Sequence, residues 1–507
     1  MPHRPTRRIL QEQSLLRLLP RRHPQQLRKS LDRQNHTESN IARLYSAYPG
    51  QSVPGVLPAA TEWKHQPANY NNYFRVYTPG VGTAFANVKD SGEGRDAIMG
   101  AAFAALGERR IIWTLAQAVN NLHRYYRKSA LHSEGNILAL CREVSLTAQS
   151  LADMTGPSVG DIYGDAAKTS SARQAFEAVL KKLHSAIRLY MVDPRLGRPV
   201  NVDPGQVKEI FVSVFGFSRG ATAARAFANW FIALCRLDAQ LLGKPGMTLG
   251  GFAVTIDFLG LFDTVASVGP ANTYGVFHGH DGWADAHTSL RVAEEVRHCL
   301  HLVSAHEVRR SFPLDSVSYD GALSGNVEEV VYPGVHSDVG GGYLPGEQGK
   351  GRDARGSDLL SRLPLAHMYR AARLAGAPLK LELAEPSAQD SFRIDPAAID
   401  VFNAYLSQAT VTRGTLTAIM RDQRKFYILW RLARRRERLE ATASFRRASQ
   451  VDRNDLAGAN AEFETEIRAF EGWMQQRNER GTGMPSPIWA PGFGNSRNLE
   501  WEEIAGF

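Results

Sequence analysis

Ser218 lies in the pentapeptide Gly216-Phe217-Ser218-Arg219-Gly220, a spacing that can turn a weak alcohol into a nucleophile. A serine hydroxyl attacks an ester only where a base can reach it and a donor can hold the oxyanion that forms. A sharp strand-to-helix turn meets both needs, because it projects the hydroxyl and aims the following main-chain N–H at the same space. The five letters alone are common, and the flanks make them specific. Ile210-Phe-Val-Ser-Val-Phe215 is a short apolar run of β-formers, read as a central parallel strand covered on both sides. Ala221, Ala223, Ala224, Ala226 and Ala228 start a strong helix immediately after the serine. The plain alternative is an ordinary strand-turn-helix connection with an unreactive serine.

A serine nucleophile needs a general base and a group that orients the base, in the chain order serine, acid, histidine for this kind of turn. Asp263 closes the apolar run Phe258-Leu-Gly-Leu-Phe262, and His336 follows Val330-Val331-Tyr332 in the glycine-bearing loop Pro333-Gly-Val-His-Ser-Asp-Val-Gly-Gly-Gly-Tyr343. Both are strand-end positions, where catalytic loops belong. Asp257 is a second candidate acid, although it falls before the end of its strand; Asp338 could fix the loop or assist the histidine. His301 and His306 are assigned to a helical stretch, Leu300 to Ser311, in structural roles. The main-chain N–H of Arg219 is the expected oxyanion donor, with a second donor unassigned.

The elements that must carry these residues alternate. Tyr73 to Tyr77 reads as a strand, Asp96 to His123 and Ser170 to Tyr190 as helices, and Phe252 to Ile256 with its continuation Leu259 to Phe262, and Glu329 to Tyr332, as further strands. Strands alternating with helices predict an α/β fold, a mostly parallel sheet flanked by helices, followed by a mainly helical extension up to Arg477. The expected organisation is a basic N-terminal segment 1–36, an α/β-hydrolase catalytic domain 37–363, and a C-terminal cap or docking region 364–507.

The chain has 507 residues, 43% of them hydrophobic, enough for at least one large core with an appended lobe. Asp257 interrupts the best apolar stretch, so no membrane-spanning helix is expected, and the arginine-rich first thirty residues lack an apolar signal-peptide core. Cys141, Cys235 and Cys299 are far apart and odd in number; they predict neither a disulfide framework nor a metal cluster, and no cofactor is expected. A net charge of +9 favours polyanionic surfaces without choosing among them. In the basic stretch Arg413–Arg447, Arg434-Arg435-Arg436 stands beside Phe426, Leu429 and Trp430; it fits either a helix lying on a membrane or a solvated helix packed on the domain.

At this point the sequence resembles the type VI secretion lipase effectors with a DUF2235-type hydrolase domain, the Tle1-like phospholipases. The resemblance is carried by Thr37-Glu-Ser-Asn-Ile-Ala-Arg-Leu-Tyr45, Pro79-Gly-Val-Gly-Thr83, Gly216-Phe-Ser-Arg-Gly-Ala221 with Ala224-Arg225, Phe262-Asp-Thr-Val265, Glu307 with Arg309, Arg310 and Phe312, and the loop Pro333–Tyr343. It implies a catalytic triad of Ser218, Asp263 and His336. It further implies a glycerophospholipid substrate in a membrane, synthesis in a bacterial cytoplasm, delivery by the type VI system into a rival's envelope, a cognate immunity protein and a secretion-spike partner, with no specific nucleic acid. Family members begin with an apolar strand ending in Asp-Gly-Thr, a loop expected to complete the oxyanion site. The corresponding Gln25–His36 stretch has neither strand nor motif: either the N-terminus is altered or another segment supplies the donor. Two other functions fit the same residues, an inactive lipid- or nucleic-acid-binding module and an esterase for soluble acyl substrates.

Overall fold

The computed structural model describes residues 36–52, 70–81, 83–91, 100–156, 171–266, 282–307, 314–319, 321–433 and 438–480. Its main sheet is built from β5 (Glu209–Phe217), β7 (Phe252–Phe262), β8 (Cys299–Ser304) and β9 (Val327–Tyr332), neighbours in that order and all parallel. The short β6 (Thr248–Leu249) turns back antiparallel on β7. Two small pairs lie apart, β1 (Gln51–Ser52) with β2 (Phe74–Arg75) and β3 (Val192–Asp193) with β4 (Arg198–Pro199).

Helices cover both faces, which is what a parallel sheet with apolar residues on either side requires. On one face the helices Gly100–Arg127, Ser171–Ile187 and Arg219–Leu241 bury Trp113, Phe176 and Trp230 with Ile256, Leu259 and Leu261 of β7. On the other, Asn40–Ala47 and Arg362–Leu374 bring Leu44, Leu365 and Met368 onto Phe258, Phe262 and Leu302. Val254 and Ile256 share a face with Leu259 and Leu261 because Asp257 is an extra residue: the register steps from Val212↔Ile256 to Ser213↔Phe258. Such a bulge resets the alternation for the rest of the strand.

The expected α/β fold with a helical extension is present. The extension comprises Pro386–Asp390, Pro396–Leu406, Leu416–Ala433, Ala443–Arg447 and Gln450–Arg480. Helix Arg362–Leu374 crosses the expected boundary at 363 while contributing to the core of the sheet. Helix Leu416–Ala433 buries Met420 against Val303 and Leu314 and Tyr427 against His306, so this part of the basic stretch is packed; Arg434, Arg435 and Arg436 lie outside the described residues.

Three expectations need correction. The strand containing Ile210–Phe215 is not central, for among the described residues β5 pairs with β7 alone and Phe211 is 55% exposed. Tyr73–Tyr77 yields only the two-residue β2. The helix placed at Leu300–Ser311 is instead β8, six consecutive buried residues; a short apolar run has no periodicity to separate buried strand from buried helix. Residues 308–311 of that stretch, and residues 25–35 of the segment read as having neither strand nor motif, lie outside the described residues. No helix among the described residues is long and apolar enough to cross a membrane. Cys141, Cys235 and Cys299 are buried free thiols; burial pushes the thiols of Cys141 and Cys299 up to about 12.

Candidate active site

Ser218 follows the last residue of β5 and precedes the helix Arg219–Leu241, with φ 60° and ψ −129°. Left-handed φ is uncommon for a residue with a side chain and has to be held in place by its surroundings. The holding contacts are main-chain ones: Ser218 N–H donates to the Phe262 carbonyl at 3.0 Å, and Val265 N–H donates to the Ser218 carbonyl at 3.3 Å. A Cβ on Gly216 would overlap the Gly220 carbonyl oxygen and Ala221 Cα, whereas one on Gly220 would meet nothing within 4 Å. Glycine is therefore needed at the first position of the elbow, where strand and helix nearly touch, and not at the last. Arg219 is the first residue of the helix, the end at which main-chain N–H groups point outward along the axis. Burial, reinforced by nearby Arg110, lowers its guanidinium below the usual arginine range.

Asp263 caps β7, fully buried and also at positive φ, 40°. Its Oδ2 lies 2.7 Å from His336 Nδ1 and accepts the Ser304 hydroxyl at 2.8 Å; its Oδ1 accepts the Ser304 N–H at 2.9 Å. His336 opens the short helix His336–Gly340 after β9. Its ring packs on that of Phe217, 4.6 Å between centroids and tilted 33°, and its N–H donates to Glu307 Oε2 at 3.2 Å. Gly340 lies so close to the Phe217 ring that any Cβ would overlap it. The structure thus brings Asp263 and His336 into direct contact and sets the residue before Ser218 against the imidazole, all at the carboxyl edge of one parallel sheet.

The remaining candidates lie elsewhere. Asp257 accepts the Ser213 hydroxyl at 2.7 Å inside the sheet, and burial raises its carboxyl above the ordinary range. Asp338 serves the loop: it accepts the Val335 N–H at 3.0 Å and the Lys350 ammonium at 3.2 Å, both partners buried. His306 Nδ1 accepts the Gly334 N–H at 3.1 Å beneath the stacked ring of Tyr427. Desolvation lowers His306 to about 4, so it stays neutral and keeps accepting. Sequence reasoning missed Ser304, a strand-end residue whose partner becomes evident only once β8 is known to neighbour β7. Glu307 belongs to the segments that carry the family resemblance, and its contact with the His336 N–H has no local sequence signal. Lys350 had no local signal.

The Thr37–Tyr45 segment has a structural part to play here. Asn40 Nδ2 donates to the Val339 and Ser361 carbonyls at 2.8 and 2.9 Å, and Ser39 bridges Gly341, clamping the helix that bears His336. A cavity of about 1040 Å³ runs along the outer edge of β5. Tyr45, Tyr77, Ile111 and Phe215 line it, and it reaches Phe217 and Arg219 but not Ser218. Among the described residues no group of His, Cys, Asp and Glu gathers as a metal-binding set.

Comparison with known proteins agrees with this architecture. Residues 246–371 match the catalytic-domain model of the type VI secretion phospholipase effectors of the Tle1-like kind, a span that holds Asp263 and His336 and begins after Ser218. The chain is also similar to the crystal structure of an uncharacterized protein from Pseudomonas aeruginosa, with TM-score 0.60 and 30% identity over 85% of this chain. It spans 58% of the length of that relative. A Tle1 effector bound to the VgrG spike of the type 6 secretion system aligns with TM-score 0.37 and 16% identity, over 83% of this chain and 80% of the other. No curated protein matches.

Proposed function

We propose that this chain, a relative of the Tle1-like phospholipase effectors across residues 246–371, is a serine hydrolase that cleaves acyl esters of glycerophospholipids. The observation that carries the reading is the 2.7 Å contact between His336 Nδ1 and Asp263 Oδ2, next to a serine in a left-handed elbow. In this reading His336 Nε2 removes the Ser218 proton as Oγ attacks the ester carbonyl. Asp263 keeps the ring in the tautomer that leaves Nε2 open and stabilises the imidazolium that forms. Arg219 N–H supplies one oxyanion donor. The imidazolium protonates the departing alcohol; a water, deprotonated in turn by His336, then releases the fatty acid and restores the serine.

The biological setting belongs to the same proposal: delivery by a type VI system through a spike protein, action on a rival's membrane, and neutralisation by an immunity protein. So does the division into a catalytic portion 37–363 and a C-terminal docking portion. The test is labelling with a fluorophosphonate probe, mapped by mass spectrometry, together with hydrolysis of fluorogenic phospholipids. The adduct is expected on Ser218, with Ser218→Ala inactive. Equal hydrolysis by wild type and Ser218→Ala eliminates this nucleophile. Turnover of short soluble esters with indifference to vesicles would redirect the substrate assignment, and salt-sensitive vesicle binding without any hydrolysis would favour a binding module.

A further inference from the structure

His301 and Glu329 stand opposite each other on β8 and β9, buried to within 3% of their side-chain surface, and touch none of the reacting groups. His301 Nδ1 lies 2.8 Å from Glu329 Oε1. On the far side of the ring, Nε2 lies 3.1 Å from the Thr264 N–H nitrogen and 3.0 Å from the Thr264 hydroxyl. A main-chain N–H can only donate, so Nε2 accepts and carries no proton; the ring hydrogen therefore sits on Nδ1 and is donated to Glu329. Glu329 also accepts the Val317 N–H at 3.0 Å and the Ser316 hydroxyl at 2.9 Å. Burial pushes its carboxyl up, but these donors together hold it below the ordinary glutamate range.

Thr264 is the link between acid and nucleophile. Asp263, before it, holds φ 40°, and Val265, after it, donates its N–H to the Ser218 carbonyl. We propose that the His301–Glu329 pair is a positioning device that clamps Thr264, and through it holds the strained Asp263 against His336 and keeps the elbow in register. A buried polar pair of this kind gives little stability compared with apolar residues of the same volume, which sets it apart from simple packing. The inference rests on the Ser218–Asp263–His336 reading.

The test compares the 507-residue chain with Glu329→Gln, Glu329→Leu, His301→Leu, His301→Gln and Ser218→Ala on a soluble short-chain ester, with active sites counted by fluorophosphonate titration. Glu329→Gln, whose amide oxygen still accepts from Nδ1, is expected to stay within about threefold of wild type. Glu329→Leu and His301→Leu are expected to lower kcat by about 100-fold at little changed KM, the cost of an ångström of misplacement. A carboxylate beside an imidazole favours its protonated form, so a displaced Asp263 also moves the acid limb of the kcat/KM profile to lower pH. His301→Gln keeps an acceptor towards Thr264 and is expected to recover part of the rate; it stands in should the leucine variant fail to fold. If the leucine variants only melt earlier, with kcat per active site and pH profile unmoved, the inference is overturned. Full activity in Ser218→Ala would instead overturn the triad reading on which it stands.

Discussion

The Ser218 N–H is donated to the carbonyl of Phe262 at 3.0 Å, so the elbow serine is tied to the residue just before Asp263. Parallel pairing of Phe217 with Phe262 puts the two turns on adjacent strands, and neither can shift without straining the other.

This coupling makes Asp263 a sensitive position. Asp263→Asn keeps the volume but offers its amide N–H groups where Ser304 and the imidazole donate, which favours the wrong tautomer of His336. The rate is expected to fall about 10³–10⁴-fold with little loss of soluble protein, measured as kcat/KM on a fluorogenic ester. A fall of less than tenfold would remove Asp263 from the role proposed for it.

The two elbow glycines are expected to respond differently. Gly216→Ala places a methyl group into the Gly220 carbonyl and Ala221 and forces strand and helix apart. Overpacking of this kind costs about 1–3 kcal/mol, and both the melting temperature and the rate of probe labelling should drop. Gly220→Ala has open space and sits in a helix, where alanine is preferred by about 1 kcal/mol; its melting temperature should hold or rise.

His306 predicts an acid-sensitive element. Its pKa falls from 6.5 to about 4 on burial, so below pH 6.5 the unfolded chain binds a proton that the native chain refuses. Its contribution to stability is complete above pH 6.5 and is lost progressively as the pH falls towards 4, about 3 kcal/mol in all. Melting temperatures measured from pH 7.5 to 4 should decline, and His306→Gln should flatten that slope. Identical slopes for the two proteins would refute the assignment.

Lys350 and Asp338 form a buried pair 3.2 Å apart. Lys350→Met takes the ammonium away from a carboxylate that stays buried, and is expected to cost about 3–5 kcal/mol in denaturant unfolding. Adding Asp338→Asn should recover part of that loss. Additive losses in the double variant would show that the pair is not coupled.

The sequence exposed the site more fully than its surroundings. The elbow, the strand end at Asp263 and the glycine loop at His336 each carry local signals, and β5, β7 and β9 lie where their β-formers suggest. What could not be read depended on neighbours remote in the chain. That β5 has β7 as its one partner among the described residues follows from which strands flank it, and the short run at 299–304, where Leu300, Leu302 and Val303 surround His301, is too brief to give a period that distinguishes strand from helix. The bulge at Asp257, which sets the face of every later residue of β7, depends on where Ser213 happens to lie. Ser304, His301 and Glu329 matter only because β8 lies between β7 and β9.

The roof over His306 ties the last third of the polypeptide to the rim that carries His336. Tyr427 stacks on that ring, Tyr405 reaches its Nε2 at 3.4 Å, and Met420 seats on Val303, while the same histidine anchors Gly334 two positions before His336. A protein engineer who trims the chain after residue 363, or grafts a foreign tail there, therefore also uncovers the anchor of the loop that carries His336, and swaps between relatives must carry roof and loop together.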